Sequence, residues 1–391
     1  MKTGTVEPTQ EGDFLFAERE PFRLESGGEL QPVSIRYAIY GTPNPERDNV
    51  VLVCQALSGS ARVADWWLGL FGPGRPFDLS RYCVIGTNVI GSCYGSTGPT
   101  SVNPKTGAAY GPDFPLITIG DMVRAQALLL DHLDIKRLRT VIGGSIGGMQ
   151  ALQWAVDFPE RVETCVPIGA TPLSAMGLAL NHLQRLAIQA DPNWQSGRYT
   201  RAAPPNAGLG LARALAMCSY KSAELFTARY GHRPNRTGED PYHFVDARFD
   251  VAGYLDYQRA EFIARFDANT YVTITKVMDT FDVARGYGSE DSAFRRIKAK
   301  VLAIGISADW LFPPGDVRAY VTKMQAAGVD ARFAELVSAH GHDAFLAEVD
   351  PLAALIQSHA NWLGVWPENG LPSEAEHPKR PVTVMHRVGK V

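Results

Sequence analysis

Five short apolar runs, with helical patterns between most of them, set the frame for this 391-residue chain. They are NVVLVC (49–54), YCVIG (82–86), TVIGG (140–144), ETCVPIG (163–169) and KVLAIGIS (300–307). Runs this short, apolar without alternation, read as strands covered on both faces, which is the situation of a mostly parallel sheet. Parallel neighbours cannot be joined by a tight turn and need a crossover, usually a helix. Asp121–Leu133 and Gly147–Phe158 supply such helices, with apolar residues three and four apart. ARFAELV (331–337) alternates and suits a further strand nearer the sheet edge. Residues 22–41 read as a β-hairpin, with FRLES and VSIRYAIYG flanking Gly27-Gly28. The predicted class is α/β, one mostly parallel sheet with helices on both faces.

The alternation stops between about residues 172 and 295. That stretch carries helical patterns at Leu180–Ala190, Leu209–Tyr230 and Val251–Phe266, a Pro204-Pro205 crossing and the polar loop HRPNRTGEDP. A helical insertion between two strands of one sheet fits it better than an independent domain. The predicted organisation is a core in two parts (1–171 and 296–364), the insertion (172–295) and a C-terminal tail (365–391). The tail mixes Pro, Glu and Lys without period and is expected to be extended or poorly ordered.

Bulk charge narrows the function. The formal net charge is −3, so the basic excess required for phosphate backbones or anionic lipid is absent. No nucleic-acid or membrane partner is expected, since no run of about 18 apolar residues occurs either. The polar start MKTGTVEPTQEGDF lacks the apolar core of a signal peptide, which points to the cytoplasm. Five cysteines, with no CxxC and no Cys/His pair at zinc spacing, read as reduced structural thiols rather than a metal site.

The chemistry is concentrated at Gly143-Gly144-Ser145-Ile146-Gly147, a G-x-S-x-G match between the strand LRTVI and the helix GMQALQWAVDF. In that context the serine stands on a sharp strand-to-helix turn, its hydroxyl raised at the carboxyl end of the sheet. A serine nucleophile needs a base and an orienting carboxylate, which in this arrangement follow it in the order Ser, Asp, His. Asp309 lies directly after KVLAIGIS, and His342 lies in AHGHDAF after ARFAELV. Asp316 and Asp343 compete for the acid role, and His340 for the base. Acyl transfer also needs two donors for an oxyanion. The amide of Ile146 is one, and the amide of Leu57, in VLVCQALSGSA, is the other.

These residues resemble the homoserine O-acetyltransferase family of the α/β-hydrolase superfamily. The likeness spans about residues 15–362 and rests on CQALSGSA (54–61), GPGRPFD (72–78), GSCYGSTGP (91–99), GPDFPLITIGDMV (111–123), GGSIGGMQALQWA (143–155), ISADWLFPP (306–314) and GHDAFL (341–346). The resemblance implies that the insertion is a helical lid, that the chain forms a homodimer, and that Ser145, Asp309 and His342 form a triad. It further implies that Arg213, Tyr220 and Asp343 hold the amino-acid substrate. That assignment is chemically sensible, because Arg213 can fork onto a carboxylate and Asp343 can pair with an ammonium.

The implied reaction moves the acetyl group of acetyl-CoA, as co-substrate, to L-homoserine through an acyl-serine. The product is O-acetyl-L-homoserine for methionine biosynthesis, and no metal or redox cofactor is required. Two residues depart from the family pattern: Gln55 stands where histidine is usual, and Ile146 where methionine commonly follows the nucleophile. Succinyl-CoA as donor and L-serine as acceptor are alternatives on the same scaffold, although Tyr94 favours acetyl. A simple ester hydrolase is a further alternative, one that has no need of a clamp for an amino acid.

Overall fold

In the computed structural model, residues 5–366 are described. The central sheet has eight strands: β1 (Gln10–Phe16), β2 (Val33–Tyr40), β3 (Val50–Cys54), β4 (Cys83–Thr87), β5 (Thr140–Gly144), β6 (Thr164–Ile168), β7 (Lys300–Ile306) and β8 (Ala331–Leu336). Their spatial order is β1-β2-β4-β3-β5-β6-β7-β8, with every pair from β4 onward parallel. All five residues of β3, β4, β5 and β6 are buried. Along β3, Val50, Leu52 and Cys54 enter one apolar core while Val51 and Val53 enter the other. Both faces of that strand are therefore covered, which explains a run with no polar alternation.

One core is closed by α1 (Ile119–His132) and α2 (Ile146–Asp157), whose Met122, Leu129, Leu152 and Trp154 pack into it. Thr118 and Asp121 form a capping box that starts α1: the Thr118 hydroxyl accepts from the Asp121 amide at 3.1 Å, and the Asp121 carboxylate from the Thr118 amide at 2.9 Å. The opposite core takes Trp67, Phe77, Leu352 and Ile356.

The expected hairpin over 22–41 is corrected. Phe22–Arg23 and Glu29–Leu30 pair as a small ribbon about Gly27 and Gly28, but β2 pairs with β1, from Gln10↔Ile39 to Phe16↔Val33. β1 is a half-exposed edge strand, QEGDFLF, whose polar residues hid it from a search for apolar runs.

Between β6 and β7 lie α3 (Ala175–Gln189), α4 (Asn206–Tyr220), α5 (Ala223–Arg229), α6 (Asp250–Ile263) and α7 (Ala268–Asp279). The single pattern read over Leu209–Tyr230 is broken at Lys221, which is extended (φ −110°, ψ 150°), and α5 restarts with Ser222 accepting from the Leu225 amide at 3.0 Å. After β7 comes α8 (Pro314–Ala326), and α9 (Val349–Gln357) follows the histidine loop. Val365 and Trp366, assigned above to a loose tail, are instead buried. The Trp366 indole donates to the Pro76 carbonyl at 2.6 Å. The remainder of the predicted tail lies outside the described residues.

Candidate active site

Ser145 sits between β5 and α2 with φ 59° and ψ −127°, a conformation that side chains other than glycine's rarely adopt. Holding it costs about 1–3 kcal/mol, which the surrounding packing must offset. Two glycines make the turn possible. A Cβ on Gly143 would fall 2.7 Å from the Cys54 carbonyl oxygen at the end of β3, and one on Gly147 would fall 2.3 Å from the same oxygen. The elbow is pressed against its neighbouring strand too closely for any side chain. The Ser145 amide donates to the Ile168 carbonyl at 2.9 Å, which ties the elbow to the end of β6.

The residue after Ile168 leads to the other two groups. A Cβ on Gly169 would lie 3.3 Å from Asp309 Oδ2 and 3.5 Å from His342 Nδ1, so this glycine packs directly against both side chains. His342 Nδ1 and Asp309 Oδ2 are 2.7 Å apart, with both side chains almost fully buried. The second carboxylate oxygen of Asp309 accepts from the amides of Leu311 and Phe312, each at 2.9 Å. Asp309 is thereby fixed as an acceptor. The proton on Nδ1 faces it, and Nε2 is left to act as a base. The His342 ring is bracketed by Phe312, Phe345 and Tyr220, with centroids 5.2, 5.6 and 5.6 Å away. Phe345 also packs on Gly144, beside the serine.

Burial alone would depress the His342 pKa, but the charge and hydrogen bond of Asp309 outweigh it and hold the pKa above the ordinary value. The rival residues fall elsewhere. Asp316 is exposed in the first turn of α8. His340 Nε2 faces Glu348 at 3.7 Å, and burial lowers its pKa.

Leu57 and Ile146 are buried at the ends of β3 and β5. Among the described residues neither backbone amide donates to a protein acceptor, which leaves both available to an oxyanion. Gln55 is buried beneath the Leu57 loop. In the amide orientation its neighbours dictate, it donates to Asn88 Oδ1 at 2.9 Å and to the carbonyls of Thr87 and Gly59. Gln150 of α2 donates to the carbonyls of Gln55 and Ile146, at 3.3 and 3.2 Å, so one amide side chain ties together the two segments that carry the Leu57 and Ile146 amides. A neutral amide thus fills the position expected to carry histidine. Ile146 buries its side chain and presents only its backbone.

The insertion reaches the same pocket through the C-terminal end of α4. Tyr220 lies against His342, and burial pushes its phenol up to about 12. Arg213, nearly two turns earlier, stacks over Phe262 at 4.8 Å and Tyr220 at 5.8 Å. Its guanidinium has no carboxylate partner among the described residues, and Nε is buried without an acceptor. Asp343 does have a partner: Lys221 Nζ lies 2.8 Å from its Oδ2, with side chains only 11% and 19% exposed. Asp343 makes no side-chain cap for the helix that follows it. Sequence reading missed Lys221, and the only available signal was its place directly after Tyr220.

The α/β hydrolase fold family matches residues 49–348. A homoserine O-acetyltransferase of Moorella thermoacetica is 45% identical over 345 residues, 85% of this chain and 92% of the relative. One from Rhodopseudomonas palustris strain BisB18 is 43% identical over 90% of each chain. This chain belongs to the homoserine O-acetyltransferase family. It is therefore an enzyme, an acyltransferase on an α/β-hydrolase scaffold. The crystal structure of homoserine O-acetyltransferase from Bacillus anthracis superposes with a TM-score of 0.83 at 29% identity, covering 90% of this chain and 97% of that one. Esterase E22 superposes nearly as well, with a TM-score of 0.82 at 27% identity over 90% and 99% of the two chains. The scaffold thus serves both transfer and hydrolysis, and the choice rests on the groups lining the pocket.

Proposed function

We propose that the enzyme transfers the acetyl group of acetyl-CoA to the hydroxyl of L-homoserine through an acyl-Ser145 intermediate. His342 Nε2 takes the Ser145 proton as the oxygen attacks the thioester carbonyl. The Leu57 and Ile146 amides stabilise the oxyanion, and CoA leaves as the thiol. His342 then takes the proton of the homoserine hydroxyl, which attacks the acyl-serine and frees the enzyme. Arg213 holds the homoserine carboxylate and Asp343 its ammonium, with Tyr220 closing the wall beside His342. No metal or redox step is needed, and the product suits methionine biosynthesis. Residues 172–295 act as the lid over a core formed by 1–171 and 296–364.

The observation that carries this reading is Arg213, a cation with no acidic partner among the described residues, stacked on the Tyr220 that packs against the His342 of the Asp309–His342 pair. A hydrolase would have no use for it. The likeness to esterase E22 keeps hydrolysis as the second reading. The test is thiol release from acetyl-CoA and succinyl-CoA, each with homoserine, with serine and with no acceptor. Acetyl-CoA with homoserine should turn over fastest, and acceptor-independent turnover as fast as the best pair would establish the hydrolase. Homoserine and serine differ by one methylene, worth about 1–3 kcal/mol, so a 10–200-fold preference is expected.

The pH dependence of the same assay tests the base. His342 must be neutral to act, and Asp309 raises its pKa, so kcat/KM should climb with pH through an apparent pKa above about 6.5. His340→Ala should keep this limb and His342→Ala should lose it with most of the activity. The reverse result would make His340 the base.

We also infer a cytoplasmic homodimer. Among the described residues no helix is long and apolar enough to cross a membrane, and all five cysteines are free. Met176, Leu183 and Leu186 stand 56%, 48% and 49% exposed at spacings of seven and three along α3, a stripe that pairing of two copies would cover. Leu183→Glu should shift the sedimentation coefficient to that of a monomer. A wild-type protein already monomeric at micromolar concentration would refute the dimer.

A further inference from the structure

The Lys221–Asp343 pair gives the site a charge balance that the two-step reaction does not by itself require. Lysine is rarely buried, and when it is, it is paired. Lys221 is held firmly. It follows α4 in extended conformation, and its carbonyl accepts from the Trp310 indole at 3.3 Å in the loop that carries Asp309. The next residue, Ser222, donates its hydroxyl to the Ala339 carbonyl in the loop that carries His342. Gly341 permits the close approach. Its φ is 65°, and a Cβ there would lie 2.8 Å from the Tyr220 carbonyl oxygen. The extended turn at Lys221, the acid loop and the base loop are thus fastened around one ammonium group.

We propose that Lys221 is a positioning residue for acyl transfer: its ammonium cancels, at His342, the charge of a carboxylate that the amino-acid acceptor requires but the acylation step does not. The proposal rests on the function given above, because it takes His342 as the base. Asp343 adjoins His342 in sequence and shares its turn. The charged and titratable groups acting on His342 are Asp309 from the loop after β7, Asp343 from its own turn and Lys221 just after α4, with the Tyr220 ring packed against it. Phe312 and Phe345 are neutral. In the enzyme awaiting its acyl donor no substrate ammonium offsets Asp343, and two carboxylates, one buried and one mostly so, would hold a proton on the imidazole. Asp343 indeed raises the His342 pKa and Lys221 lowers it, although both effects are smaller than those of burial and Asp309. When the acceptor arrives, its ammonium joins Lys221 on Asp343 through the carboxylate's other oxygen.

The experiment is the pH dependence of first-turnover CoA release from acetyl-CoA without acceptor, in wild type, Lys221→Met, Asp343→Asn, the double variant and Lys221→Arg. Lys221→Met should move the acidic limb up by roughly one pH unit, because a bare carboxylate then faces His342. Asp343→Asn should move it down, the double variant should return it near the wild-type position, and Lys221→Arg should leave it in place. A merely structural role would slow every variant without this pattern of opposite signs. An unmoved limb in Lys221→Met, or shifts of one sign in both single variants, overturns the proposal. If Lys221→Met does not fold, Asp343→Asn and Lys221→Gln decide it on the same signs. A wild-type enzyme with no limb at all would refute His342 as base, and so the proposed function rather than the role of Lys221.

Discussion

Ser145→Ala should release CoA from acetyl-CoA at least about 10⁴-fold more slowly than wild type, with or without homoserine, and should unfold at nearly the same temperature. The size follows from the role. Removing a nucleophile whose base and oxyanion donors stay in place leaves only the residual catalysis of binding and electrostatics, and such losses run to about 10⁴–10⁶ in kcat. The unchanged stability follows from the geometry. The Ser145 hydroxyl caps no helix, and alanine meets the same unfavourable backbone at φ 59° as serine does. Mass spectrometry of quenched wild-type enzyme, given acetyl-CoA alone, should find 42 Da added at Ser145, a value set by replacing hydrogen with acetyl and roughly the mark of any acetyl ester. Normal turnover in the alanine variant would end the acyl-serine mechanism.

The ease with which this serine could be found has a physical cause. A strand-to-helix turn with such close backbone approach excludes Cβ atoms at Gly143 and Gly147, so the constraint is written as residue identity over five positions. The central strands were legible for the same kind of reason: burial on both faces keeps charged residues out of β3 to β6 and leaves threonine as their polar residue, at the strand ends. Asp309 and His342 could be placed because each follows a readable strand. β1 could not be read, because an edge strand needs only one face covered and QEGDFLF carries the polar residues that protect it.

Within the insertion, sequence legibility ended at the level of helices. The break at Lys221 has no glycine or proline to mark it. It arises from tertiary contacts, the hydroxyl of Ser222 on the Ala339 carbonyl and the indole of Trp310 on the Lys221 carbonyl, made across more than 80 residues. The ion pair with Asp343 likewise joins residues 221 and 343, which no local pattern connects. For Gln55 the departure from histidine was visible, but its consequence was not. Only the fold shows that a neutral amide reaches Asn88 and the Thr87 carbonyl from that position.

Arg213→Ala should separate the two halves of the reaction. Acetyl-CoA presents no amino-acid carboxylate, so the first-turnover burst of CoA release should survive in this variant. The homoserine KM should rise roughly 30-fold or more, because losing a charge-assisted contact in a closed site costs about 2–5 kcal/mol. Much of that loss is the substrate carboxylate left buried without a counter-charge. Arg213→Lys should recover only part of it, since an ammonium cannot reproduce the two-pronged fork and stacks less well on Phe262. With acceptor binding weakened and the acyl-enzyme still forming, the intermediate must accumulate or pass to water. Arg213→Ala should therefore show a larger ratio of acceptor-independent to homoserine-dependent CoA release than wild type. The stacking on Phe262 and Tyr220 sets the control, because alanine also removes packing: Arg213→Met keeps much of the side-chain volume and should match alanine in KM if charge is the cause. Burst amplitude and homoserine dependence are measured on the same preparations. A normal homoserine KM in both neutral variants would remove Arg213 from the substrate site and leave hydrolysis as the better account of the pocket.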